Sequence, residues 1–232
     1  MITRLLEEKI LSKLNSGKAI ILLGPRQTGK TTLLEKIAGQ TGKYLLIDCD
    51  DSMVRSQMEN ANTEDIRRII GNHKTVFFDE AQRIKNIGLV LKIITDKFKD
   101  VQLLVSGSSS LDLLSEINEP LTGRKWEYYL YPISWAEFSI YAGQLKSIQQ
   151  LETRILFGMY PEVINKQGNE RETLRQLSGS FLYKDLLSYQ GIRKPDLLEK
   201  LLRAVALQTG SEVSYSELAS LLQVDRKTII TY

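Results

Sequence analysis

Apolar positions along this chain follow two periods, and the alternation between them lays out the expected elements. Ile2, Leu5, Leu6, Ile10 and Leu14 fall at helical spacing with charges between them, which predicts an opening helix stopped by Asn15, Ser16 and Gly17. Ala19-Ile20-Ile21-Leu22-Leu23 is a short unbroken apolar run, the pattern of a strand buried on both faces. Gly24 to Lys30 predicts a glycine-rich turn, and Thr31 to Ala38 a helix ended by Gly39. A second strand is expected over Lys43 to Ile47, running into the acidic turn Asp48 to Asp51. A helix over Thr63 to Ile70 and a third strand over Thr75 to Phe78 follow. Ile87, Leu91, Ile94 and Phe98 share one helical face, so Asn86 to Phe98 reads as an amphipathic helix. Val101 to Val105 and Lys125 to Tyr131 read as the fourth and fifth strands.

Strands alternating with helices require crossover connections, so the fold class is α/β with a mostly parallel sheet covered on both faces. Beyond Tyr131 strand-like runs are scarce, and helices are expected over Ser134 to Tyr141, Leu151 to Phe157, Glu170 to Tyr189 and Pro195 to Gln208. The expected organisation is a sheet-bearing core at 1–132, a helical region at 133–208 and a segment of different character at 209–232. In that last segment Ser216 to Leu222 reads as a short helix, Gln223-Val224 as a turn, and Asp225 as the cap of Arg226 to Ile230. This is a helix-turn-helix pattern, with Leu218, Ala219, Leu222, Val224 and Ile229 as its small core.

Composition narrows the class. Among 232 residues, 31 basic against 28 acidic side chains give a formal charge of +3, so no sustained polycationic surface is implied. Hydrophobic residues at 42% suffice for a buried core, which argues against disorder over most of the length. The uncharged stretch Val101 to Leu111 is too short to cross a bilayer, and no membrane association is expected. Arg4, Glu7, Glu8 and Lys9 leave no apolar core for a secretory signal. The single cysteine, Cys49, reads as packing. A cytoplasmic setting is the expectation.

Gly24-Pro25-Arg26-Gln27-Thr28-Gly29-Lys30-Thr31 fits G-x-x-x-x-G-K-[ST] at every fixed position, between a buried strand and a helix. Glycines let the backbone curl so that successive N–H groups face phosphate oxygens, and the helix adds its positive end. Lys30 can reach the outer phosphates and the Thr31 hydroxyl can ligate magnesium. Val76-Phe77-Phe78-Asp79-Glu80 delivers two carboxylates at a strand's carboxyl end, where open α/β sheets bind ligands. Asp79 is the expected magnesium residue, and Glu80 the group that polarises an attacking water. After the fourth strand, Ser106 to Ser110 offers hydroxyls that either sense the terminal phosphate, with Ser108 and Ser106 the candidates, or cap a helix at Leu111 to Leu114. Arg124 is either a phosphoryl-stabilising arginine, in its own chain or a neighbour's, or a salt-bridged surface residue. Arg26 either contacts phosphate or braces the loop against Asp48 or Asp50. His73 reads as structural or exposed, and Trp126, Trp135, Tyr128, Tyr129 and Tyr131 as core or interdomain packing. Arg226 and Lys227, opening the last helix, suit either DNA contact or a protein-binding role.

Taken with Thr32-Leu33, Ala81-Gln82, Leu121-Thr122-Gly123-Arg124, Tyr131-Pro132-Ile133-Ser134, Glu137-Phe138, Gly158-Met159-Tyr160-Pro161-Glu162 and Tyr183-Lys184-Asp185-Leu186, these motifs resemble one family over nearly the whole chain. It is the prokaryotic AAA-type P-loop ATPases with an N-terminal AAA domain and a C-terminal domain of unknown function. The resemblance implies an AAA-type nucleotide-binding core, a helical lid and the start of a winged-helix-like domain. It implies ATP and Mg2+ as cofactors, held by Gly24 to Thr32 with Asp79 and Glu80 as the acidic pair. It also implies Ser106 or Ser108 at a sensor position and Arg124 as a possible finger. Family members look longer, and a winged domain needs about 30 more residues to close its core, so the chain is expected to be a truncated piece. The leading expectation is a magnesium-dependent ATPase coupled to its lid and C-terminal module. The alternatives are a nucleotide-gated DNA- or protein-binding switch with negligible turnover, and a ring-forming homo-oligomer whose Arg124 completes a neighbour's site.

Overall fold

The computed structural model describes residues 2–59, 61–108, 116–179 and 195–231. The chain divides into two compact units, Met1–Glu170 and Arg171–Tyr232, each with its own core. In the first, helix α1 (Leu6–Leu11) precedes β1 (Ala19–Gly24), α2 (Lys30–Gln40), β2 (Tyr44–Asp48), α3 (Ser52–Met58), α4 (Thr63–Ile70) and β3 (Thr75–Asp79). A 3-10 turn at Ala81–Arg83, α5 (Ile87–Lys97), β4 (Gln102–Ser108) and β5 (Lys125–Tyr129) complete the sheet-bearing part. Four short helices follow: α6 (Trp135–Ala142), α7 (Gln144–Gln149), α8 (Leu151–Phe157) and α9 (Pro161–Asn165).

The five strands are all parallel, in the order β2-β3-β4-β1-β5, as the α/β pattern requires. Alternate residues of the central strands feed two separate cores. Ile20 and Leu22 of β1, Phe77 of β3 and Leu104 of β4 pack with Ile10 of α1 and Leu33, Leu34 and Ile37 of α2. Their neighbours Ile21, Leu23, Val76, Phe78, Leu103 and Val105 pack on the other face with α4 and α5 through Ile66, Ile70, Leu91 and Ile94. Burial on both faces is why these runs carry no polar alternation.

Several boundaries differ from the sequence expectation for local reasons. The opening helix closes at Leu11, because Lys13 and Leu14 turn to bond Ile10 and Leu11 three residues back. Leu14 nonetheless packs against the α1–α2 core. Helix α2 runs past Gly39 and stops where the Thr41 hydroxyl donates to the Ala38 carbonyl and Gly42 turns at φ 102°. The acidic turn at Asp51 is the cap of a missed helix, α3, its carboxylate accepting the Met53 N–H at 2.7 Å. Strand β4 extends to Ser108, so Ser106 sits in the sheet rather than beyond it. The helix expected at Leu111 to Leu114, Ser109 and Ser110, and the motif Tyr183 to Leu186 lie outside the described residues. The expected aromatic packing is corrected for Tyr129 and Tyr131: β5 is an edge strand, and the two rings stack on each other while exposed to solvent.

In the second unit, α10 (Glu170–Leu177) leads in from the boundary, followed by α11 (Pro195–Leu207), α12 (Tyr215–Leu222) and α13 (Arg226–Thr231). Leu201 and Ala204 pack with Leu218, Ala219 and Ile229, with Leu222 and Val224 at the edge. Gln223 adopts a left-handed conformation at the end of α12 and turns the chain into α13.

Candidate functional site

Strand β1 ends at Gly24, where φ is 152° and a Cβ would lie 2.2 Å from the Leu130 carbonyl oxygen. Only glycine lets the chain leave the sheet here. The loop that follows is tied to itself: the Thr28 hydroxyl donates to the Pro25 carbonyl at 2.9 Å, and so does the Lys30 ammonium, also at 2.9 Å. Positive φ at Gln27 (59°) and Gly29 (92°) completes the curl. Helix α2 starts at Lys30 with no side-chain cap, which leaves its first N–H groups to an external anion.

Asp79 closes the end of β3, and the Thr31 hydroxyl donates to both of its carboxylate oxygens, at 2.9 and 3.0 Å. Strand β4 lies between β1 and β3, and from it the fully buried Ser106 donates to Asp79 Oδ1 while accepting the Glu80 N–H at 3.0 Å. Glu80 itself is left-handed (φ 52°, ψ 46°), a conformation that costs a non-glycine residue on the order of 1 kcal/mol. Its carboxylate accepts a short bond from Gln82 Nε2. Cys49 is buried nearby. Burial first, then the negative charges of Asp79, Asp48, Asp50 and Glu80, push its thiol up to about 12, so it stays protonated and inert near neutral pH.

The loop and Glu80 open onto a cleft of about 580 Å³, lined on this side by Gln27, Gly29, Lys30, Thr31, Thr32 and Glu80. Its other wall is α9 and the next residue: Pro161, Glu162, Asn165 and Lys166, the last bonded to Glu162 at 2.6 Å. Sequence reasoning quoted Pro161 and Glu162 only as part of a motif and missed Asn165 and Lys166, since nothing local in a five-residue helix marks the face it turns to a cleft. A buried arginine secures that wall, as Arg154 binds Glu170 at 3.2 Å and the Val163 carbonyl at 3.5 Å.

Not every candidate joins the cluster. Ser108 sits level with Gly24 at the end of β4, and it is Ser106 that bonds the acidic pair. Arg124 lies at the opposite, amino end of the strands, where its carbonyl accepts the Ala19 N–H and its guanidinium binds Asp96 at 2.7 Å. That hydrogen bond holds the Asp96 carboxyl below its ordinary range. The Asp50 carboxylate pairs with Arg83 at 3.1 Å.

The donor set suits a small hard cation. Thr31 and Asp79 offer a hydroxyl and a carboxylate, and magnesium commonly takes one or two carboxylates plus phosphate oxygens and water. No cluster of three or more His, Cys, Asp and Glu able to hold a metal occurs among the described residues. No described helix is long and apolar enough to cross a membrane.

A family model described as an AAA domain matches residues 16–139, and one described as a domain of unknown function (DUF8612) matches residues 148–232. Among solved structures, the Walker-type ATPase PABY2304 of Pyrococcus abyssi matches with a TM-score of 0.61 at 18% identity, over 100% of this chain and 89% of that one. Its likeness is one of fold. A structure of forked-DNA unwinding by two coordinating Pif1 helicases matches at TM-score 0.41 and 13% identity, over 58% of this chain and 45% of that one. The Pif1 helicase of Candida albicans matches at 0.41 and 15%, over 65% and 44%. No curated protein matches the chain.

Proposed function

This chain belongs to the AAA domain family, and from that premise we propose that it binds ATP and hydrolyses it with magnesium, coupling nucleotide state to movement of its helical region and C-terminal module. The observation that carries the reading is the hydrogen-bonded set Thr31, Asp79, Ser106 and Glu80 at the mouth of the phosphate loop. In this reading the backbone N–H groups between Gly24 and Thr32 bind the phosphates. Lys30 exchanges its bond to the Pro25 carbonyl for one to the outer phosphates. Thr31 and Asp79 would hold the magnesium ion, which when bound would supply charge neutralisation. Glu80 takes a proton from the attacking water as its oxygen bonds the terminal phosphorus and the bond to the ADP oxygen breaks. Gln82 fixes the Glu80 carboxylate, and Ser106 fixes the backbone beneath it. ATP is assigned over GTP from the family likeness and because the sequence has no Asn/Thr-Lys-x-Asp base-reading motif.

The test is steady-state phosphate release beside direct ATP binding. Glu80→Gln is expected to bind ATP as wild type does and to lose turnover by about 10²-fold or more, the usual worth of a general base. Equal turnover in the two proteins would remove Glu80 from the mechanism.

A second reading rests on the α12–α13 pair, where Arg226 and Lys227 are exposed at the start of α13. It makes the chain a nucleotide-gated switch whose output is duplex DNA, with a salt dependence that steepens with each phosphate contacted. DNA affinity that is absent, or identical in ATP, ADP and no nucleotide, would sink it.

A further inference from the structure

The opening segment carries a buried cation that the proposed chemistry leaves unused. Arg4 is 6% exposed, and its guanidinium is shared among three acceptors. Nε donates to Glu137 Oε1 at 3.1 Å, Nη1 to the Thr28 carbonyl at 2.7 Å and Nη2 to the Tyr131 carbonyl at 2.6 Å. Glu137 is fixed in turn. Its Oε1 accepts the Leu5 N–H at 2.8 Å, and its Oε2 accepts the Ser134 N–H at 2.8 Å, within the capping box that opens α6. A planar fork of donors held from several sides has one orientation, and a lysine could not reproduce it.

The acceptor with consequences is the Thr28 carbonyl, because it shares a peptide plane with the Gly29 N–H. The chain has no cis peptide bond among its described residues, and in a trans peptide C=O and N–H point in opposite directions. Holding the carbonyl on Arg4 therefore turns the Gly29 N–H to the other side of the loop. Gly29 lines the cleft, and its φ of 92° lies where glycine moves with little steric restraint. Without a partner for the carbonyl, rotation of that plane meets little steric resistance on the Gly29 side. The cation also polarises the peptide, which makes the N–H on the far side a stronger donor.

We infer that Arg4 is a positioning residue for the phosphate loop: through its bond to the Thr28 carbonyl it fixes the direction and strength of the Gly29 N–H as a phosphate donor. The inference rests on the nucleotide-binding reading above. It assigns a function to a residue that touches no substrate and lies far from the motif in sequence.

The experiment compares Mg-ADP affinity, by calorimetry, with thermal stability in the 232-residue chain and two variants. Arg4→Lys keeps the charge but not the fork. Glu137→Gln loses the charge at the far end of the fork and leaves the bond to Thr28. Both are expected to melt at lower temperature. Arg4→Lys is expected to bind Mg-ADP about ten-fold more weakly, the worth of one charge-assisted hydrogen bond, while Glu137→Gln stays close to wild type. Affinity that falls equally in both variants, or in neither, makes Arg4 a structural tie and overturns the inference. A wild-type chain that fails to bind overturns the nucleotide reading and the inference with it. Should Arg4→Lys not fold, the wild-type chain answers by NMR. Saturating Mg-ADP is expected to move the Arg4 Nη1–H and Gly29 amide signals together, and a Gly29 shift with an unmoved Arg4 Nη1–H overturns the proposal.

Discussion

Gly24 shows how one residue can be required for geometry alone. Its missing side chain leaves the place that the Leu130 carbonyl occupies, 2.2 Å from where a Cβ would stand, and its φ of 152° adds strain for any other residue. Gly24→Ala is expected to destabilise the chain by about 3 kcal/mol, the upper end of what overpacking costs, which denaturant unfolding would measure. Glu80 illustrates the opposite case, a residue kept in an unfavourable backbone region by bonds from Ser106 and Gln82. Backbone strain maintained by surrounding groups clusters at active sites, ligand clamps and switch regions.

Among the elements, α6 is anchored through its capping box, and this carries a pH signature. Burial works to raise the Glu137 pKa, but the Ser134 and Leu5 N–H bonds and the Arg4 charge outweigh it and hold the carboxyl below its ordinary 4.5. A depressed carboxylate stabilises the fold above its unfolded value and loses that contribution as pH falls through the lower folded value. Melting temperature is therefore expected to fall as pH drops below 4.5, and to fall less steeply in Glu137→Gln. The same scale shows what the sequence could reveal. Strands β1, β3 and β4 are legible because both faces are buried, and α4 because Asn62 and Asp65 form a complete capping box. The phosphate loop and the Asp79-Glu80 pair are legible because glycine spacing and a strand end are local signals. Arg4 is not, since its acceptors at Thr28, Tyr131 and Glu137 meet only after the chain has folded. Helices α3, α7 and α9, of seven, six and five residues, were not assigned from the sequence.

For the whole molecule, the position of Arg124 bears on assembly. It stands at the amino ends of the strands, while the phosphate loop stands at their carboxyl ends, with the length of β1 between them. A catalytic role for Arg124 therefore requires a second copy of the chain. Mixing Arg124→Ala with Lys30→Ala subunits is expected to restore phosphate release if sites are shared, and two inactive variants that never complement would leave Arg124 as a structural partner of Asp96 and the Thr122 carbonyl.

The seat of Gly24 under Leu130 also sets a schedule for the growing polypeptide. The phosphate loop leaves the ribosome before the carbonyl it packs beneath and before the Tyr131 and Glu137 groups that bond Arg4, which are made about a hundred residues later. At typical elongation rates that interval is on the order of ten seconds. Throughout it the most diagnostic motif in the sequence lacks the contacts that Leu130, Tyr131 and Glu137 bring. Ribosome-bound chains arrested before Leu130 has emerged are expected to ignore ATP, and those arrested well after Glu137 to retain a labelled nucleotide.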